Sequence, residues 1–360
     1  MSHQALFWRV VMQPTSFCNL NCSYCYLKYR RSSYKMSVTV AQSVAQSVFQ
    51  AGNPVRILWH GGEPLSCGKK HFQSLLTPFQ GLCEAHMASH YIQTNATLIN
   101  EEWCRFFINN NVHVGVSIDG PDWANRNRTD WSGRSSFSRI MAGVSYLKEF
   151  DIPFSVICVI DESSLEKAEE IYTFFCNLGC SEVAFNIEEK LGIHETSAPD
   201  DSRRITNFWA ELFRYWKERP NIPIREVDRT LRWIAAQEGP QGDPVIEDFF
   251  PSVAYDGKVV LLSPEFLDVS CKLYSDFCAG NVLDSTLNQI CAKAKNLQYI
   301  QDYLEGLRKC KSECEYFAFC KGGQAASKYF EHGTTCATET VYCRNSEQRL
   351  LEGVLQSIEA

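Results

Sequence analysis

Residues 6–25 read LFWRVVMQPTSFCNLNCSYC, and this stretch decides the fold. The apolar run Leu6 to Val11 predicts a β-strand, and a loop carrying Cys18, Cys22 and Cys25 follows it. Three thiols on one loop are typical of a metal site. A four-iron cluster normally takes four Cys ligands, so three local ligands would leave one iron open to a small molecule. Buried core thiols and a zinc knuckle are the alternatives, although no further Cys and no His lies between residues 4 and 59.

The order of strand, polar loop and amphipathic helix recurs through the first half of the chain. The predicted strands are Leu6–Val11, Val55–His60, Ser89–Thr94, Val112–Ile118, Phe154–Ile160 and Glu182–Ile187. The predicted helices are one capped by Ser37, then Lys69–Ala85, Asn100–Phe107, Phe137–Phe150 and Ser164–Leu178. This alternation predicts a parallel α/β sheet, open or curled into a partial barrel. Reactive groups gather at the carboxyl ends of such strands, which is where the Cys loop lies.

Composition narrows the function classes. The chain has 360 residues, of which 45% are hydrophobic and 21% charged, as in ordinary globular proteins. Its net charge of −7 provides no basic surplus for a phosphate backbone, which argues against nucleic acid as a partner. The chain has 17 Cys, and because this number is odd they cannot all pair in disulfides. The longest apolar runs are only as long as a strand, which is too short to cross a bilayer. We find no targeting segment, so we expect a cytoplasmic protein with reduced or metal-bound thiols and no membrane partner.

A second motif follows the second predicted strand. Gly61 and Gly62 allow close approach of the backbone to a ligand, and Glu63 offers a carboxylate to a ligand ammonium group. On its own, the run Gly61–Pro64 also fits a simple turn. Because this run follows the next strand after the Cys loop, we favour a ligand site over a simple turn.

These motifs resemble those of the radical S-adenosylmethionine (SAM) enzymes. The superfamily pattern C-x3-C-x2-C, with an aromatic residue before the last Cys, is met by Cys18, Cys22, Tyr24 and Cys25. The resemblance implies a partial (β/α)6 TIM-like barrel whose three Cys hold a [4Fe-4S] cluster that binds SAM at its open iron. Gln93–Leu98 and Ser117–Pro121 also resemble a subgroup with sulfatase-maturating enzymes and peptide maturases. The SAM contacts implied by the resemblance are Gly61, Gly62, Glu63, Pro64, Asn95, Ser117 and Arg128.

A further set of thiols lies near the C-terminus, at Cys310, Cys314, Cys320, Cys336 and Cys343. A zinc ribbon is the structural alternative to an iron–sulfur site here. The set resembles the SPASM or twitch extension of radical SAM enzymes. Two positions that carry Cys in the full extension lack it here, at Gln324 and after the hairpin predicted around Asp256-Gly257. The resemblance therefore implies one auxiliary [4Fe-4S] cluster on Cys310, Cys314, Cys320 and Cys343, with Cys336 as the alternative last ligand.

The resemblance also implies the reaction. The reduced cluster would cleave SAM, and the 5′-deoxyadenosyl radical would abstract hydrogen from a substrate. We favour a ribosomally made precursor peptide, because Cys320–Gly323 and Thr340–Cys343 resemble segments of cyclophane-forming maturases; the product would carry an oxidative crosslink between side chains. A formylglycine-forming anaerobic sulfatase-maturating enzyme is the alternative, and a non-catalytic iron–sulfur or zinc scaffold is the alternative of another class. The motifs identify no catalytic base. The expected partners are the peptide and an electron donor such as flavodoxin or ferredoxin.

We predict four segments. They are a radical SAM core at residues 1–190, a helical bridging segment at 191–244, an auxiliary-cluster module at 245–345 and a C-terminal helix at 346–360. The bridge ends in the turn-rich run Gly239–Pro244. Since seventeen residues precede Cys18, we expect leader recognition to come from the C-terminal module or from a separate protein.

Overall fold

The computed structural model describes residues 6–194, 199–236 and 242–359. Four predicted features fall partly outside these ranges: the first residues of the core segment, residues 195–198 and 237–241 of the bridging segment, Gly239–Gln241 of its predicted turn, and Ala360 at the end of the C-terminal helix.

A mixed sheet forms the centre of the molecule. Its strands are β1 Arg9–Met12, β2 Val55–Trp59, β3 Ala88–Thr94, β4 Val112–Ser117, β5 Phe154–Ile160, β6 Glu182–Ile187, β7 Ser252–Val253, β8 Lys258–Val260 and β9 Gly280–Asn281. The strand order is β6-β5-β4-β3-β2-β1-β7-β8-β9. The first six strands are parallel and β7 joins β1 in parallel, whereas β8 and β9 are antiparallel. The predicted parallel α/β sheet is thus confirmed, and it continues into the C-terminal half.

Helices connect the parallel strands and complete the C-terminal half. In the described part of the chain they are α1 Val38–Ala51, α2 Lys69–Leu76, α3 Gln80–Glu84, α4 Glu101–Asn109, α5 Phe137–Glu149, α6 Ala168–Leu178, α7 Ser202–Glu218, α8 Arg225–Ala236, α9 Leu287–Ala292, α10 Gln298–Glu313, α11 Phe317–Cys320, α12 Ala325–His332, α13 Val341–Cys343 and α14 Arg349–Glu359. A π-helical turn, Arg344–Gln348, leads into α14.

Local sequence explains where several helices begin and end. Ser37 and Asn100 cap α1 and α4, because their side chains accept from Val40 N and Trp103 N. The helix predicted over Lys69–Ala85 is wrong in its middle, where Pro78 lies in a 3₁₀ turn between α2 and α3.

The helix predicted from Ser164 begins only at Ala168. The Asp161 carboxylate accepts from the hydroxyls of Ser163 and Ser164, and these bonds hold a 3₁₀ turn at Glu162–Ser164. The side chains of these residues therefore stabilise a turn where the sequence predicts the first turn of the helix.

The end of the chain packs back onto the bridging region. A Cβ added to Gly353 in α14 would lie 2.7 Å from the Thr206 carbonyl oxygen in α7, so the two helix backbones are in close contact. Trp209 in α7 donates from Nε1 to the Asn345 carbonyl oxygen at 2.9 Å. These contacts fix the segment that follows Cys343.

The six parallel strands are curled. The loop after β1 and the residues after β6 belong to strands at opposite ends of this six-strand order, yet they line one cavity. The arrangement is an incomplete barrel with its carboxyl-end loops turned towards a common space. Among the described helices, none combines the length and the apolar character needed to cross a bilayer.

Candidate active site

The Cys loop after β1 faces a cavity of about 350 Å³, which Cys18, Cys22 and Cys25 all line. The three thiols are free. Two hydrogen bonds hold the backbone of this loop. Arg30 donates to the Cys22 carbonyl oxygen at 2.9 Å, and Trp131 Nε1 donates to the Cys18 carbonyl oxygen at 2.8 Å. Burial raises the pKa of the Cys22 thiol to about 11. A bound cation would therefore have to stabilise this sulfur as a thiolate ligand.

The glycine pair after β2 packs against this loop. Gly62 has a φ of +64°, and a Cβ there would lie 2.6 Å from the Phe17 carbonyl oxygen and 2.7 Å from that of Thr15. Only glycine fits such a close backbone contact at positive φ. The amide of Glu63 also donates to the Phe17 carbonyl oxygen at 2.8 Å. Gly62 and Glu63 therefore position the Cys loop.

The Glu63 carboxylate is buried and accepts three hydrogen bonds. Its Oε1 accepts from Thr94 Oγ1 at 2.7 Å and from Leu65 N at 3.0 Å, and its Oε2 accepts from Asn95 N at 2.8 Å. Burial raises its pKa to about 6. A carboxylate has about four acceptor sites, so roughly one is left for a ligand in the cavity that Glu63 lines. The side chain thus stabilises the turn and also faces the cavity.

Asn95 and Ser117 lie on the same cavity. Asn95 Nδ2 donates to Asn19 Oδ1 at 2.9 Å and lies 3.9 Å from Cys18 Sγ, so it orients the Cys loop directly. Ser117 Oγ accepts from Gln93 Nε2 at 2.8 Å. The sequence singled out both residues, and the structure brings them together with the Cys triplet.

Arg128 also lines this cavity, and a carboxylate, that of Asp119, balances its charge. Its Nε donates to Asp119 Oδ2 at 2.9 Å, and the Tyr24 hydroxyl donates to the same oxygen at 2.6 Å. The guanidinium lies 5.5 Å from the centre of the Tyr24 ring. Asp119 therefore holds a cation and an aromatic ring beside the Cys loop. It lies within the Ser117–Pro121 motif, but nothing in the spacing indicated this role.

Several cavity residues were not among the ligand-binding residues predicted from the sequence. They come from the end of β6 and from the C-terminal half: Ile187, Glu188, Glu189, Leu191, Glu265 and Gln324. Glu189 accepts from Ser327 Oγ at 2.9 Å, and burial raises the pKa of its carboxyl group to about 8. Gln324 occupies a position at which the sequence resemblance expected a Cys.

The cavity beside the Cys loop adjoins a larger one of about 730 Å³. Residues that line both are His60, Gln93, Ile157, Glu265 and Gln324. The larger space is bounded on its far side by the C-terminal module, through Tyr303, Phe317 and Lys321. A ligand at the Cys loop can therefore be reached from a space that both halves of the chain enclose.

The second Cys set lines a separate cavity of about 690 Å³. Four of its thiols lie on the wall: Cys310, Cys314, Cys320 and Cys343. Cys336 is not among the residues that line this cavity, and its sulfur lies 3.3 Å from Lys309 Nζ instead. This geometry groups Cys343, rather than Cys336, with the other three.

Hydrogen-bond donors lie beside sulfurs of this cavity, and the side chains of Glu313, Glu315, Glu339 and Glu352 share its wall. Gly322 N lies 3.3 Å from Cys320 Sγ, and Thr340 N lies 3.4 Å from Cys343 Sγ, so backbone amides already donate to two of the sulfurs. Arg349 lines the same cavity, and its buried Nε has no hydrogen-bond partner among the described residues. Such N–H donors around Cys sulfurs are typical of iron–sulfur sites.

Aromatic side chains fill the space beside the β7–β8 hairpin. Phe266 and Phe277 stack with centroids 4.0 Å apart, and Tyr299 and Tyr329 pack edge-on against Phe277. The Tyr299 hydroxyl accepts from Leu261 N at 3.3 Å, next to the position where the full extension would carry a Cys. An aromatic core therefore occupies this part of the C-terminal module.

In the described ranges, no three His, Cys, Asp or Glu side chains converge closely enough to hold a single metal ion. The Cys ligands of a four-iron cluster each bind a different iron. They are therefore spread around a cavity instead of around one point, as both Cys sets are.

Comparison with known proteins agrees with this geometry. Residues 12–175 match the sequence profile of the Radical SAM superfamily. An uncharacterized protein of Synechocystis is 31% identical, over 97% of this chain and 92% of its own length. A serine-type anaerobic sulfatase-maturating enzyme of Bacteroides thetaiotaomicron is 30% identical, over 87% of this chain and 81% of its own length.

Solved structures share the fold. Native anSMEcpe with bound AdoMet and a Cp18Cys peptide superimposes with a TM-score of 0.78, 24% identity and 98% coverage of both chains. Streptococcus suis SuiB bound to its precursor peptide SuiA gives a TM-score of 0.69 and 16% identity, over 94% of this chain and 76% of SuiB. The chain belongs to the radical SAM superfamily, in the family that includes the anaerobic sulfatase-maturating enzymes.

Proposed function

We propose that this chain oxidises a side chain of a ribosomally made precursor peptide, giving a product such as a crosslinked cyclophane. The observation that carries the proposal is the pair of adjoining cavities, about 350 and 730 Å³, between the Cys loop and the C-terminal module. This space exceeds what a cofactor at the Cys loop needs, and it suits a peptide segment entering from the larger cavity.

The residues around the smaller cavity fit the cofactors of the superfamily. Cys18, Cys22 and Cys25 would hold the [4Fe-4S] cluster, and Asn95 would keep their loop in place. When bound, the cluster and SAM supply the one-electron chemistry that removes a hydrogen atom from a substrate. In this arrangement the remaining acceptor site of Glu63 would bind the SAM ammonium group, and the Arg128 guanidinium would face its carboxylate. Gly62 and Ser117, which line the same cavity, would complete the SAM site, whereas Gly61 and Pro64, which the resemblance also implies, are not on its wall.

We assign one auxiliary [4Fe-4S] cluster to Cys310, Cys314, Cys320 and Cys343. Their shared cavity supports this ligand set, and the aromatic core around Phe277 supports the absence of a second auxiliary cluster. We accordingly retain the four proposed segments: the core at 1–190, the bridge at 191–244, the auxiliary-cluster module at 245–345 and the C-terminal helix at 346–360. An electron donor such as flavodoxin or ferredoxin would reduce the N-terminal cluster.

A second candidate is formylglycine formation in a sulfatase. The named relatives favour it, because anaerobic sulfatase-maturating enzymes match 87% of this chain at 28–30% identity. The two candidates share the radical step and differ in the product. A crosslink removes two hydrogens without leaving an aldehyde, whereas formylglycine carries an aldehyde.

The experiment supplies both substrate types to anaerobically reconstituted, dithionite-reduced protein with SAM. One peptide is the product of any short open reading frame found beside the gene, and the other is a sulfatase-derived peptide with a central Cys or Ser. We expect a two-hydrogen mass loss in the precursor peptide, with no capture by a hydrazide probe. Hydrazide capture of the sulfatase peptide alone would support the second candidate. SAM cleavage with neither peptide modified would contradict both.

A matched control separates enzyme chemistry from background oxidation. The Cys18→Ala, Cys22→Ala, Cys25→Ala variant keeps the C-terminal module but lacks the proposed ligands of the N-terminal cluster. It should modify neither peptide. Modification at the parent rate by this variant would remove the proposed radical origin of the product.

A further inference from the structure

Buried cations in this molecule fall into two groups. Three Arg or Lys residues are buried in the described part of the chain: Arg30, Arg128 and Lys328. Arg128 has a carboxylate partner, Asp119 at 2.9 Å. Within the described ranges, neither Arg30 nor Lys328 has a carboxylate within ion-pair distance, and each lies beside one of the two Cys sets. Because a buried charge without a counter-ion is costly, an anionic group at the neighbouring Cys site would stabilise each cation.

The two cations contact their Cys sets differently. Arg30 donates to the backbone carbonyl oxygen of Cys22 at 2.9 Å. Lys328 instead places its ammonium group 3.7 Å from the sulfur of Cys310, and the same group lies 5.3 Å from the centre of the Tyr303 ring. Lys328 is only 1% exposed, so water cannot replace this contact. A direct N–H donor to a ligand sulfur is one of the features that set the reduction potential of an iron–sulfur cluster.

Helix α12 fixes the position of Lys328. It runs from Ala325 to His332, and the preceding residue, Ser327, donates to Glu189 on the wall of the cavity beside the Cys loop. Consecutive residues of one short helix thus contact residues on the walls of the two cavities, Glu189 and Cys310. The ammonium group is therefore held by the same helix that joins the auxiliary module to the substrate space.

We propose that Lys328 is a positioning residue for the auxiliary cluster, which raises the reduction potential of that cluster by donating a hydrogen bond to the Cys310 sulfur. The reduced cluster carries one more negative charge than the oxidised cluster. A fixed ammonium group at a ligand sulfur therefore stabilises the reduced form more strongly. This inference rests on the proposed auxiliary cluster. A raised potential would favour electron transfer to the C-terminal module.

The test measures a potential, and needs no substrate. The full-length Cys18→Ala, Cys22→Ala, Cys25→Ala variant serves as the parent, so that the auxiliary cluster gives the only iron–sulfur signal. Dithionite supplies one electron per cluster in a titration followed by electron paramagnetic resonance. Lys328→Met removes the charge at similar length, and Lys328→Arg keeps it. Lys309→Met is the matched control, because Lys309 contacts the thiol outside the proposed ligand set, Cys336 at 3.3 Å.

We expect Lys328→Met to lower the equilibrium constant for reduction at least tenfold, which is about 59 mV for a one-electron couple. Lys328→Arg and Lys309→Met should stay close to the parent. An unchanged potential in Lys328→Met, or an equal shift in Lys309→Met, would overturn the inference. If Lys328→Met loses its iron, Lys328→Gln is titrated in its place.

Iron analysis distinguishes a failure of this inference from a failure of the proposed function. Loss of iron from both Lys328→Met and Lys328→Gln would overturn the inference, because the residue would then be needed for assembly and would not act on the potential. A parent protein without iron would contradict the auxiliary cluster itself. Iron in the parent together with an unmoved potential would contradict only the role of Lys328.

Discussion

Replacing Gly62 by Ala tests whether the glycine after β2 is required by the Cys loop. The residue has a φ of +64°, which costs an L-residue about 1–2 kcal/mol. The added Cβ would also lie 2.6 Å from the Phe17 carbonyl oxygen, where non-bonded atoms prefer about 3.5–4.0 Å. The backbone would have to move by roughly 1 Å, and overpacking of this kind costs about 1–3 kcal/mol.

The chain provides a control with the same backbone strain. Gly52 ends α1 at a φ of +70°, and a Cβ there would meet no atom within 4 Å. Gly52→Ala should therefore lose only about 1–2 kcal/mol of unfolding free energy. Gly62→Ala should lose about 2–5 kcal/mol, since the contact with the Cys loop adds to the strain.

The assay combines chemical denaturation with iron analysis of reconstituted protein. We expect Gly62→Ala to lose the four irons of the N-terminal loop and to keep about four in the C-terminal module. Gly52→Ala should keep both. Equal destabilisation of the two variants, with full iron in each, would refute the view that Gly62 positions the cluster-binding loop.

Three further predictions concern the ligand sets. Glu63→Gln removes a charge-assisted contact worth about 1.5–3 kcal/mol, so SAM affinity by calorimetry should fall roughly 10- to 150-fold while the cluster spectrum persists; unchanged affinity would leave Glu63 only its role in the turn. Iron and zinc analysis of the wild type should give about eight irons per chain; about twelve would favour a second auxiliary cluster, and four irons with one zinc would favour a zinc ribbon. Cys343→Ala should lose the C-terminal cluster and Cys336→Ala should keep it, as measured by iron content; the reverse pattern would exchange the last ligand.

The sequence was informative wherever chemistry and secondary structure coincide. Cys18, Cys22 and Cys25 follow a predicted strand, and a parallel sheet brings the ends of neighbouring strands together, so their proximity to Glu63 and Ser117 followed from topology. The strands over Phe154–Ile160 and Glu182–Ile187 match the structure residue for residue.

Contacts between distant segments were not predictable in this way. Glu189, Gln324 and Lys328 reach their positions only when the C-terminal module folds over the sheet, and no periodicity or spacing encodes that contact. The break at Pro78 is local. The helical pattern of the surrounding residues continues through Pro78, but proline cannot donate a backbone hydrogen bond, and the helix is interrupted there.

We propose that SAM is cleaved at the loop that carries Cys18, Cys22 and Cys25. The most direct measurement is the amount of 5′-deoxyadenosine formed by anaerobically reconstituted, dithionite-reduced protein, quantified by liquid chromatography and mass spectrometry. The wild type should form 5′-deoxyadenosine, and the Cys18→Ala, Cys22→Ala, Cys25→Ala variant, with its C-terminal iron retained, should form none. Undiminished 5′-deoxyadenosine from that variant would contradict SAM cleavage at this loop.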